Sequence, residues 1–257
     1  MINSMEHIRA EINDGLLIVT MARGKANALN SAMIDELNAA LADAASGESV
    51  RGVVLASDRP KFFSGGFDVT EVFEYDREMM TDFFGRFIDL YEGVMRLPKP
   101  VIAAVSGHAF AGGAVLALAC DARVMGEGAF GFALNEINLG LALPPGMIRM
   151  AANVVGISKA RELIMEGRTL TPADALKLGL AGEVAVPGEV LARAIDRAGK
   201  MADKPPLTFG AIKHSFNQIT GLSPSGSDRQ YLSGFIEHWF SPESIRYKRA
   251  LIDSLRR

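Results

Sequence analysis

Three short stretches constrain this 257-residue chain more than anything else in it. VRGVVLAS (50–57), VIAAVSG (101–107) and ARVMG (122–126) are predominantly apolar runs, not alternating ones. A strand that alternates can leave one face in water. A strand that is apolar throughout must be covered on both faces, as happens in parallel sheets flanked by helices. Helical patterns separate the runs. Met79, Met80, Phe83, Phe84, Phe87, Leu90, Tyr91 and Val94 keep helical spacing until Pro98 and Pro100, which disfavour helix at the residues before them. A glycine-led AGGAVLALAC (111–120) fills the gap between the second and third runs. The alternation predicts an α/β core of right-handed crossover units.

The flanks extend this plan. Residues 6–12 and 15–21 read as strands joined at Asn13-Asp14-Gly15, a turn signal between apolar runs. Asn30 or Ser31 caps a helix over 32–45 whose Met33, Leu37, Ala40, Leu41 and Ala44 share a face. From about residue 144 the pattern is mostly helical, with Thr171-Pro172 as an N-cap followed by proline at the first helical position. Lys204-Pro205-Pro206 breaks the chain, so 1–203 is read as the core and 204–257 as a helical C-terminal extension. No internal sequence repeat or low-complexity segment is visible.

Composition narrows the function classes. With 27 Lys+Arg against 30 Asp+Glu the net charge is −3, which provides no electrostatic footprint for nucleic acid. Cys120 is the only cysteine, so no intrachain disulfide forms, and inside AVLALAC it reads as a buried, inert thiol. The N-terminus lacks the basic start and apolar core of a signal peptide, and no run of 18 apolar residues occurs; the expected address is the cytoplasm, without a membrane partner. No His/Cys cluster has metal-ligand spacing, so no metal is expected.

Two glycine pairs carry the chemistry. KFFSGGFDV (61–69) follows the first apolar run, and SGHAFAGGAVLALACD (106–121) follows the second. Gly65-Gly66 alone reads as a surface turn. Gly112-Gly113 opens a helix, where free N–H donors and the positive end of the helix dipole suit an anion. Neither pair matches a phosphate-loop motif. Together they suggest two main-chain amides from separate loops converging as an oxyanion hole.

On KANALN (25–30), FFSGGFDV (62–69), PVIAAVSGHAFAGGAVLALACDARV (100–124), NEINLGL (135–141) and TPADALKLGLAGEV (171–184), the chain resembles the crotonase (enoyl-CoA hydratase/isomerase) family. The resemblance implies a spiral of ββα units with a helical extension used in oligomer packing, a homotrimer or dimer of trimers, and a coenzyme A thioester as substrate, with no further cofactor. It implies that the amides of Phe67 and Gly112 hold the thioester oxygen. It also implies up to two glutamates, and these map onto Val115 and Glu136. Valine cannot move a proton, so one carboxylate is left. That pattern implies 3-enoyl-CoA to 2-enoyl-CoA isomerisation with Glu136 as base, with hydration and non-catalytic acyl-CoA binding as alternatives. In an apolar pocket beside Val115, desolvation raises the pKa of Glu136.

Lys25, Ala26, Ala28, Ser64, Gly65, Gly66, Asp68, His108 and Val115 are expected around the CoA ester and acyl chain, with Lys25 or Lys61 near its phosphates. Asp68 reads as a loop brace, His108 as structural or pocket-lining, and Asp121 as structural. Glu71, Glu74 and Asp76 are reserve acids. Phe73, Phe83, Phe84, Phe87 and Leu90 bound the acyl pocket or fill the core. Arg246, Lys248, Arg249, Arg256 and Arg257 read as a solvated helix face.

Overall fold

Asp14 and Gly15 both adopt positive φ, 48° and 74°, and so close a tight hairpin between β1 (Ile8–Asn13) and β2 (Leu16–Met21). Two-residue hairpins of matching twist need left-handed backbone at both central positions. The computed structural model describes residues 5–222 and 227–255; Arg256 and Arg257 lie outside the described residues. After β2, α1 (Ser31–Ser46) starts where the Asn30 side chain accepts the Met33 amide at 3.0 Å, and it returns the chain to β3 (Gly52–Ser57). β5 (Val101–Val105), β7 (Ala122–Gly126) and β9 (Glu183–Ala185) complete a six-stranded sheet in the order β1-β2-β3-β5-β7-β9. Every pairing in it after the first is parallel.

Both faces of this sheet are covered, as the apolar runs require. Val53 and Leu55 of β3 face the main core with α1 and α3 (Arg77–Arg96). Val54 and Ala56 face the opposite way, with Ile102, Val124 and Ala194 and Ala198 of α8 (Val190–Ala202).

A second sheet was not read from the residue pattern, though the ββα units that the resemblance implied require a second strand in each. β4 (Phe62–Ser64), β6 (His108–Phe110) and β8 (Phe132–Ala133) pair in parallel in that order. Each follows a strand of the first sheet: β3 runs into β4, β5 into β6, β7 into β8. The first two units then enter a helix, α3 by way of the one-turn α2 (Val69–Val72), and α4 (Gly112–Ala119). The third enters a 3-10 helix (Glu136–Leu139) and α5 (Pro145–Val155). The fold is therefore an α/β spiral of repeated strand–strand–helix units.

After α6 (Ile157–Glu166) and α7 (Pro172–Lys177), the break at Lys204-Pro205-Pro206 separates α8 from α9 (Pro206–Ile219). Lys213 fastens α9 to the core. Its Nζ lies 2.8 Å from Asp121 Oδ2 and 3.2 Å from the carbonyls of Val94 and Lys99, while the same carboxylate oxygen accepts the Val101 amide at 2.8 Å. The two side chains are only 8% and 17% exposed. Removing one member of such a pair strands the other charge in a poor solvent. Lys213→Met keeps the stem and is expected to destabilise by about 3 kcal/mol, read by denaturant unfolding; a loss under about 0.5 kcal/mol would mean that Asp121 is rehydrated at no cost.

The chain ends in a 3-10 turn (Asp228–Tyr231), α10 (Leu232–Trp239) and α11 (Pro242–Leu255). Among the described residues no helix is long and apolar enough to cross a membrane.

Candidate active site

The first loop is held from beneath. Buried Asn27, itself at φ 45°, donates from its side-chain amide to Ser57 Oγ at 2.7 Å and accepts the Arg23 amide at 2.7 Å. Leu29 then clasps the loop from both sides: its amide donates to the Gly66 carbonyl at 2.7 Å, and its carbonyl accepts the Asp68 amide at 2.9 Å. Phe67 lies between those two contacts with its amide uncommitted.

The second loop is set by one unusual residue. Ala111, which precedes α4, has φ 46° and ψ −122°, a backbone region that costs an L-residue on the order of 1–3 kcal/mol and clusters at functional sites. Its amide donates to the Ala133 carbonyl, and its carbonyl accepts the Val115 amide, both at 2.9 Å. Gly112 is the first residue of α4, where an intrahelical acceptor does not exist. Among the described residues neither the Phe67 nor the Gly112 amide donates a hydrogen bond.

The loops are in contact. A Cβ placed on Gly66 would lie 3.4 Å from the Gly112 nitrogen, and one on Gly113 would lie 2.4 Å from the Ser64 carbonyl oxygen. At Gly112 the crowding comes from the Phe67 ring, 3.1 Å from where a methyl carbon would sit. A side chain at 112 would thus press on this ring before any substrate oxygen is considered.

Both loops open on a cavity of about 340 Å³. Ala26, Ala28, Gly65, Phe67, Gly112, Val115 and Glu136 line it, as expected, together with Phe73, Phe84 and Phe87. Phe83 and Leu90 belong to the core instead. Glu136 starts the 3-10 helix, is 7% exposed, and has an Oε2 with no partner among the described residues. Burial pushes its carboxyl up to about 7, against a pull downward from its own backbone amide. Among the described lining residues it is the one titratable group of the cavity.

Five expected contacts lie off the cavity wall. Lys25 is exposed beside Ala26. Ser64 and Gly66 brace the loop: Ser64 Oγ donates to the Asn27 carbonyl at 2.8 Å and accepts the Gly66 amide at 3.3 Å. Asp68 caps α2 through the Thr70 amide at 3.0 Å and pairs with Arg23 at 2.6 Å. Burial alone would raise its carboxyl, yet the bonds from Thr70 and Arg23 hold it below the usual range. His108 Nδ1 accepts the Gly131 amide at 2.9 Å, which places any neutral-ring proton on Nε2; burial and then the Lys61 charge keep the ring below its ordinary pKa. The reserve acids are used elsewhere or lie outside: Glu71 accepts the Ser31 amide, Asp76 caps α3, and Glu74 is exposed.

Other lining residues were not anticipated. Asn135, adjacent to Glu136, lines the cavity with a buried Oδ1 that has no partner. Phe235 and Trp239 of α10 and Leu251 of α11 close the far wall, so the extension contributes to the site of its own chain. Asp228 places α10 there: it accepts the Tyr91 hydroxyl at 2.5 Å and the Gly146 amide at 2.7 Å, joining α3, α5 and the entry to α10. Lys248 corrects the reading of the C-terminal basic cluster. Arg246 and Arg249 are exposed, but Lys248 is buried.

A strand–strand–helix spiral with free amides on two touching loops and one buried carboxyl in an apolar cavity describes a class of α/β spiral enzyme. The family model described as enoyl-CoA hydratase/isomerase matches residues 11–249. The chain belongs to that family, the crotonase family, and is an enzyme of it. It is 29% identical over 234 residues to carnitinyl-CoA dehydratase of Escherichia coli K12, covering 91% of this chain and 89% of that one. Among solved structures, human mitochondrial delta3-delta2-enoyl-CoA isomerase shares the fold at a TM-score of 0.89 with 24% identity and 98% coverage of both chains. An enoyl-CoA hydratase from Mycobacterium marinum aligns at a TM-score of 0.80 with 28% identity, covering 92% of this chain and all of that one (100%).

Proposed function

We propose that the protein moves a carbon–carbon double bond of an acyl-CoA from the 3- to the 2-position. Glu136 is the base of this reading. Its carboxylate takes a proton from C2, the electron pair spreads onto the thioester oxygen as a dienolate, and the same carboxyl returns the proton at C4. The Phe67 and Gly112 amides receive the negative charge on that oxygen; each donor of this kind contributes roughly 10²–10³ in rate. The observation that carries the reading is the single buried carboxyl opposite Val115, where the family's other glutamate would stand. The relatives' names support an enzyme over an acyl-CoA carrier.

Hydration is the second reading, favoured by the unpartnered Asn135 Oδ1 beside Glu136, which gives a water a second polar contact. An assay of 3-enoyl- and 2-enoyl-CoA esters of several chain lengths separates the two. Faster conversion of the 3-enoyl ester, without water uptake, is the expected result; faster hydration of the 2-enoyl ester would replace isomerisation with hydratase activity. The exposed Leu207, Ile212, Phe216 and Ile219 of α9 are read as surface covered in the expected homotrimer or dimer of trimers, and Lys25 as a phosphate contact.

The pH profile follows from the base. Glu136 works only when deprotonated, so kcat/KM is expected to rise about tenfold per pH unit below about 7 and to level off above it. A flat profile between pH 5 and 8 would remove Glu136 from the proton-transfer step.

A further inference from the structure

Beside the far wall of the cavity stands a cation that the chemistry above does not use. Lys248 of α11 is 8% exposed. Its Nζ donates to the Trp239 carbonyl at 2.8 Å and lies 4.2 Å from the Trp239 ring centroid, 5.4 Å from that of Phe240 and 5.5 Å from that of Phe73. Among the described residues no carboxylate pairs with it. Burial lowers its pKa only to about 8, so the ammonium keeps its charge at pH 7. Two of the rings it touches, Phe73 and Trp239, also line the cavity.

The wall is therefore electrostatically occupied. Aromatic surface of this kind attracts quaternary ammonium groups when its faces are free. Here one cation already sits against the rings without itself lining the cavity. A second cation held against Trp239 from the cavity, within about 6 Å of its centroid, would lie at most about 10 Å from Nζ, which is itself 4.2 Å from that centroid. At an effective dielectric of about 20 that repulsion is worth roughly tenfold in binding.

We propose that Lys248 is a specificity-determining residue that excludes acyl chains ending in a cation and restricts the cavity to chains with a neutral, apolar tail. The proposal rests on the reading of the cavity as an acyl-CoA site. It does not depend on which reaction occurs there.

The test is binding of two saturated, unreactive esters of the same shape, measured calorimetrically on the full chain. One is 5,5-dimethylhexanoyl-CoA; the other is its isostere 4-(trimethylammonio)butanoyl-CoA. Wild type is expected to prefer the neutral ester by about tenfold or more. Lys248→Met, which keeps the stem in its aromatic cage, is expected to shrink that preference by about tenfold by gaining affinity for the cationic ester, and an unchanged preference in this variant overturns the proposal. Lys248→Arg is expected to restore the preference. Equal binding of both esters by wild type overturns the proposal, as does a Lys248→Met variant that loses affinity for both alike, since that marks a purely structural lysine. If wild type binds neither ester, the acyl-CoA reading itself fails, and the proposal with it.

Discussion

Replacing Glu136 by glutamine is expected to lower turnover by two to four orders of magnitude while binding of a saturated acyl-CoA changes by no more than a few-fold. The amide preserves the volume and polarity of the side chain but cannot accept the C2 proton. The same substitution should make the protein more stable. The native carboxyl titrates near 7 instead of 4.5, because it is buried. Between those values the folded chain holds a proton that the unfolded chain has released, so stability falls as pH rises and the loss is complete above about 7. The difference corresponds to roughly 3 kcal/mol. Glutamine is neutral throughout, so Glu136→Gln should exceed wild type by about that amount at pH 8 and match it near pH 4. Denaturant unfolding at the two pH values reads this directly. A stability difference that does not change with pH would show that the carboxyl is solvated, and a Glu136→Gln variant that keeps wild-type turnover would send the search for the base elsewhere.

That trade of stability for reactivity is visible in the residues around the site. Ala111 occupies a backbone region natural to glycine, and Asn27 sits at positive φ beneath the first loop. Among the described residues, two loop amides, the Glu136 Oε2 and the Asn135 Oδ1 are left without partners in the cavity. Unmet polar groups of this kind are costly in a folded protein and are expected where a ligand is to satisfy them.

What the sequence discloses depends on how local the cause is. The apolar runs were legible as β3, β5 and β7 because burial on both faces leaves few polar residues in them, Arg123 of β7 being the buried exception. The first hairpin was legible because Asp14-Gly15 tolerates left-handed backbone. The short strands β4, β6 and β8, of two or three residues each, show no periodicity at all; they are strands because the spiral brings them into register. Likewise β9 is drawn into the sheet by its pairing with β7. In the site, the glycine pairs and Glu136 were legible from motif and resemblance. The closure by Phe235, Trp239 and Leu251 was not, because an amphipathic pattern names a buried face without naming what it covers. Lys248 was misread for a related reason: it shares its inward stripe with Ser244, so α11 buries polar residues on the face where the pattern calls for apolar ones.

Of the two glycines that open α4, Gly113 is expected to show the larger structural effect. A methyl group on Gly112 meets the edge of the Phe67 ring at 3.1 Å and the Leu29 side chain at 3.4 Å, and both can give by a few tenths of an ångström. A methyl group on Gly113 meets main chain: the Ser64 carbonyl oxygen at 2.4 Å and its carbon at 2.9 Å. Ser64 is held in turn by β4, by its hydroxyl bond to the Asn27 carbonyl and by the buried Asn27 network. Nothing at that point is a flexible side-chain end, so the two loops must separate. Gly113→Ala is expected to destabilise by about 3 kcal/mol, in the upper range for overpacking, and to lower kcat/KM by at least about 10², because a displacement of the order of 1 Å in such a constellation carries that cost. Gly112→Ala should lose less than about 1.5 kcal/mol while also losing activity, since its added methyl presses on the residue that supplies the other amide. If Gly113→Ala folds with wild-type stability and turns over substrate normally, the loops are not locked together at this contact. The two amides would then lack the fixed spacing that makes them a preorganised site for an oxyanion.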